Sequence, residues 1–136
     1  MNWKLIFGLS LLGLAMSFAT VFWEAPRLEP LIWVLIFLLS AWLIAKNASG
    51  KYFLHGFLVN IVNSIWTTAV HIIFEVPYLA HHTLQAAQYA KMDADTGISA
   101  TKAIILAGLT IGIFSGCIIG LLALAAARIL ALLERQ

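Results

Sequence analysis

Four stretches of this chain are long and apolar enough to cross a lipid bilayer, and that confines its fold to a bundle of membrane helices. A spanning helix takes about 20 mostly apolar residues to traverse roughly 30 Å of hydrocarbon. Inside the bilayer every backbone polar group must find its partner within the protein, which helices achieve on their own. The runs fall at about residues 3–23, 30–45, 52–77 and 99–133. Only 10% of the residues are charged, whereas a soluble domain covers its surface with about a quarter. The 136 residues therefore read as one all-α integral membrane domain of four transmembrane helices.

The same composition excludes several functions. Six acidic and eight basic residues, unclustered, give no face for nucleic acid. A single cysteine, Cys117, excludes an internal disulfide and a cysteine-based metal site. The sequence holds no Gly-x-Ser-x-Gly, no phosphate loop and no His-Glu-x-x-His, which leans the reading away from an enzyme.

The ends of the runs carry boundary signals. Pro30 suits the first turn of a helix, where its missing N–H costs nothing, and Ser99 suits a cap before the fourth run. Lys4 followed by an apolar run and Ser17-Phe18-Ala19 also resembles a secretory signal peptide, but the run is longer than the core of such a signal. Lys4, Lys46, Lys51, Arg128 and Arg135 fall on one side of four spans, against Arg27, Lys91 and Lys102 on the other. The excess of basic residues puts both termini in the cytoplasm. Trp3, Trp23, Trp33 and Trp42 stand near the ends of the first two runs, as an aromatic belt does.

The third run carries a polar stripe. At 100° per residue Asn60, Asn63, Ser64, Thr67, His71, Glu75 and Tyr78 project within roughly 120° of one another. His82, Gln85 and Tyr89 continue on the same line. The pattern predicts one helix continuing from Tyr52 to about residue 90, roughly 57 Å long, bent at Pro77 and extending past the outer face. With an equally overlong fourth helix it would form a projecting hairpin, whose tip is the acidic turn at Asp93–Asp95. Polar groups facing lipid are costly, so the stripe faces protein or water. Two or three contacts suffice for interhelical glue; seven point to a wet cavity or polar path.

His71 and Glu75 are four residues apart, close enough to meet on one helix, and form a candidate ionisable gate or binding point. His71, Glu75, His81 and His82 also make a candidate site for zinc or iron. His71 to His82 spans about 16 Å on a straight helix, so such a site needs the Pro77 bend, a second helix or a second subunit. His55, on the opposite face, reads as a headgroup contact.

Gly108, Gly112, Gly116 and Gly120 recur every four residues on the fourth run. Glycine costs about 1 kcal/mol in a helix, and the return is close approach of another helix. That helix belongs either to the same bundle or to another copy.

These features support a small homo-oligomeric channel or transporter-like protein, its polar path lined by the third helix and its His/Glu point near the outer face. The alternatives are a membrane-embedded metal- or ligand-binding or enzyme module at the outer face, and an accessory subunit that meets a membrane partner protein.

Overall fold

The computed structural model describes residues 1–134 except 24 and 26. Arg135, one of the charges weighed for orientation, lies outside the described residues. Those described form six helices and no strand: α1 (Trp3–Phe22), α2 (Glu29–Asn47), α3 (Tyr52–Ile73), α4 (Glu75–His81), α5 (Thr83–Thr96) and α6 (Ala100–Leu133). Helices α1, α2, α3 and α6 are each long and apolar enough to span a membrane.

The sequence signals explain most of the ends. Asn2 caps α1, its Oδ1 accepting from the Leu5 N–H at 3.1 Å. Helix α2 takes in both Glu29 in its first turn and Lys46 in its last, charges that match the helix dipole. It is therefore longer than the apolar run. Ser99 stands at the N-cap of α6, but its side chain makes no capping bond.

The expected continuous third helix is instead three. Pro77 has no N–H for the Ile73 carbonyl, and its ring crowds that carbonyl. The chain yields at Phe74 (φ −108°, ψ 34°), where α3 ends and α4 begins. Phe18 and Phe22 of α1 hold the Phe74 ring edge-on at 5.9 and 6.0 Å. A second break at His82 separates α4 from α5. The expected acidic turn is also displaced. Residues 91–96 are helical, and the turn falls at Gly97, whose φ of 71° closes the end of α5 as glycine readily does.

Helix α3 packs between α1 and α6, and α2 packs mainly on α6. At one end of the bundle an apolar core joins Ile6 and Leu9 of α1, Ala41 and Ile44 of α2, Val59 of α3 and Ala123 of α6. His55 belongs to this end. It is 3% exposed; its Nε2 accepts from the Asn2 N–H and its Nδ1 lies 3.0 Å from the Lys51 carbonyl. It ties the chain's start to α3 and does not meet a headgroup.

The glycine ladder packs α6 onto α3 of the same chain. A Cβ on Gly120 would stand 2.8 Å from the Phe53 carbonyl oxygen, and one on Gly112 would stand 2.7 Å from the Ser64 Cβ. Gly108 meets Thr68 and Gly116 meets Phe57 in the same way. Gly56 of α3 answers from the other side, 2.7 Å from the Ile119 carbonyl oxygen by the same measure.

Candidate functional site

The end of the bundle away from the apolar core is looser. All three buried residues of α2 (Ser40, Ala41 and Ile44) lie in its second half, and its first half stands off from α3. The gap is a cavity of about 400 Å³. Asn60, Asn63, Ser64, Thr67, His71 and Tyr78 of the polar stripe line it. Gln85 and Tyr89 of α5 complete that side, because the breaks at Phe74 and His82 fold α5 back over the opening. Opposite stand Glu29, Trp33 and Phe37 of α2, with Gly108, Gly112 and Ser115 of α6 closing the wall.

The stripe bonds to helices on both sides, and the direction of each bond follows from the protons available. Ser10, Ser17 and Thr20 are the polar side chains of α1 that face α3. Each donates its one hydroxyl proton to a carbonyl of its own helix: Ser10 to Phe7 at 2.8 Å, Ser17 to Gly13 at 2.6 Å, Thr20 to Ser17 at 3.0 Å. A hydroxyl with its proton spent can only accept. Trp66 Nε1 therefore donates to Ser10, the Thr67 hydroxyl to Ser17 at 2.7 Å, and His71 Nε2–H to Thr20 at 3.1 Å. This fixes the His71 tautomer and leaves its Nδ1 an acceptor.

The α6 side obeys the same rule. Ser115 donates to the Ile111 carbonyl and so accepts from Asn60 Nδ2, at 2.6 Å. Asn60 Nδ2 also reaches the Gly112 carbonyl at 3.2 Å, and the Ser64 hydroxyl reaches the Gly108 carbonyl at 2.5 Å. Bare glycines admit these side chains to the backbone of α6.

Asn63 is the exception. It is 2% exposed, and neither amide atom has a partner among the described residues. Its side chain lies against Gly13, where a Cβ would fall 1.8 Å from Oδ1. An unmet buried amide costs about 1–3 kcal/mol, so natural structures pair such groups with protein, water or ligand. Gln85 Oε1 is likewise buried and unpartnered among the described residues.

Family models, curated proteins and solved structures each return no match. The site is therefore read from its own chemistry.

His71 and Glu75 do not meet. The break at Phe74 destroys the four-residue register, and Glu75 Oε2 instead accepts from the Thr101 hydroxyl at 2.7 Å, outside the cavity wall. The four residues considered for zinc or iron are also spread apart. Tyr78 stacks between His71 and His82, with ring centroids 4.0 and 4.4 Å away. His82 Nδ1 is 3.0 Å from the Tyr78 carbonyl, and the exposed His81 turns to the Pro77 carbonyl. Among the described residues no three His, Cys, Asp or Glu side chains gather at ligand spacing.

Sequence reasoning missed Glu29, Trp33 and Phe37. Their spacing of four and four places an acid and two aromatics on one face of α2, a signal that the belt reading of Trp33 obscured. On α5, burial raises the Tyr89 phenol above its ordinary pKa, so it stays a neutral group at physiological pH.

Proposed function

We propose that the protein is a small transporter-like membrane protein that takes a small solute into the cavity between α2, α3 and α6. Asn63 carries this reading. Helix glue would leave the stripe's amides bonded to neighbouring helices, as Asn60 is, whereas a buried amide with both atoms unmet beside a 400 Å³ space calls for water or a solute. The volume lies in the lower part of the roughly 300–1,000 Å³ range of small-molecule sites.

The apolar core fills the opposite end of the bundle, which makes the cavity blind. Carriers need such a one-ended state and open channels do not, so the carrier reading is preferred. One chain supplies the lining residues described above; further copies or a membrane partner would meet the outer faces of α2 and α6. Lys4, Lys46, Lys51 and Arg128 favour a cytoplasmic side for both termini. Helix α6, at 34 residues about 51 Å long, then carries its first turns, with α4 and α5, toward or past the outer face.

Cysteine accessibility tests the reading. Asn63→Cys and Val59→Cys, each in a Cys117→Ala background, are treated in sealed proteoliposomes with a charged thiosulfonate added to one side at a time. The expected result is labelling of Asn63→Cys from both sides and none of Val59→Cys, which is 1% exposed in the apolar core. Asn63→Cys as silent as Val59→Cys would overturn the proposal.

A further inference from the structure

The cavity's polar groups are unevenly matched. The hydroxyls of Ser64 and Thr67, the Nε2–H of His71 and the amide N–H groups of Asn60 are all spent on neighbouring helices. The remaining acceptors are not. His71 Nδ1 is left without a proton, and Asn63 Oδ1 and Gln85 Oε1 are buried and unpartnered among the described residues, as is one donor, Asn63 Nδ2. The open acceptors outnumber that one buried donor, so a solute that fills this space is held best through donors of its own.

The charge points the same way. Among the described residues Glu29 is the one Asp, Glu, Lys or Arg in the wall, and its carboxylate has no ion-pair partner among them. Its place in the first turn of α2 suits the helix dipole, yet that dipole holds only about half a charge. Trp33 and Phe37 follow one and two turns further along the same face of α2, their ring centroids 6.2 Å apart. Ring faces attract cations, most strongly where water is excluded. An anion would find no Lys or Arg among the described residues of the wall. A bare divalent ion would find one carboxylate where such ions take several oxygen ligands.

We propose that the solute is a small aralkyl ammonium, with Glu29 as its counter-ion, Trp33 and Phe37 against its apolar body, and the oxygens of Asn63 and Gln85 accepting from its N–H groups. This rests on the solute-binding reading above.

Titration calorimetry on detergent-purified protein, against detergent blanks, compares benzylammonium, benzyl alcohol and benzoate. The expected result is that benzylammonium binds at least about tenfold more tightly than the other two. Glu29→Gln is expected to abolish that preference, and Glu75→Gln, outside the cavity, to keep it. Equal binding of benzyl alcohol and benzylammonium would overturn the cation assignment and leave the solute-binding reading standing. Binding of none of the three also overturns it, and the labelling of Asn63→Cys then decides the broader reading separately. The comparison of probes on the wild-type protein holds even where Glu29→Gln fails to fold.

Discussion

Asn60 and Asn63 stand three residues apart on one helix and meet opposite fates. Asn60 reaches Ser115 and a carbonyl bared by Gly112; Asn63 reaches only the surface of Gly13. Their substitutions are expected to differ in size. Asn63→Val gives up only water and no bond to the protein, and is expected to change stability little, while Asn60→Val loses satisfied bonds and lowers it by about 1 kcal/mol. Thermal unfolding of the two variants beside wild type, in one detergent and without solute, checks the pair. The stripe itself was legible because its 3.6-residue period survives in any apolar helix. Which member bonds and which waits was not. That depends on hydroxyls of α1 turning their protons onto their own backbone, a choice that only the packed neighbour reveals.

Helices α3 and α6 owe their close packing to the glycines between them, and the geometry separates glycines that matter from those that do not. A Cβ at Gly120 would press on the backbone oxygen of Phe53, which cannot step aside, whereas one at Gly8 of α1 meets nothing within 4 Å. Gly120→Ala is expected to destabilise by about 1–3 kcal/mol, as overpacking does. Gly8→Ala is expected to be neutral or to gain up to about 1 kcal/mol from helix propensity. Denaturant unfolding followed by circular dichroism distinguishes them. The ladder was plain in the sequence, but a four-residue repeat does not say whose helix it meets; Phe53, Phe57, Ser64 and Thr68 of the same chain settle that. Pro77 was equally plain as a point of weakness. The break falls three residues earlier because the strain lands on the Ile73 carbonyl, and this carries Glu75 away from His71.

For the molecule as a whole, four helix-length apolar runs fixed the number of candidate spans and their limits to within a few residues. They said nothing of where the bundle closes and where it opens. Closure comes from Ile6, Leu9, Ile44, Val59 and Ala123 meeting at one end. Opening comes from the first half of α2 standing away, with α5 folded back so that Gln85 and Tyr89 rejoin the stripe. Both are long-range pairings that no local period encodes. The result is a cavity whose wall, among the described residues, combines one carboxylate, the aromatic rings of Trp33, Phe37, Tyr78 and Tyr89, and the polar stripe of α3. The unmet Asn63 amide requires that this space be wet or occupied. The chain has four asparagines, Asn2, Asn47, Asn60 and Asn63, so water-edited solid-state NMR of asparagine-labelled protein in bilayers reads their side-chain amides singly, with Asn63→Val assigning the signal. The buried Asn63 amide is expected to exchange magnetisation with water although it is only 2% exposed; an Asn63 amide that receives none would contradict a wet or occupied cavity.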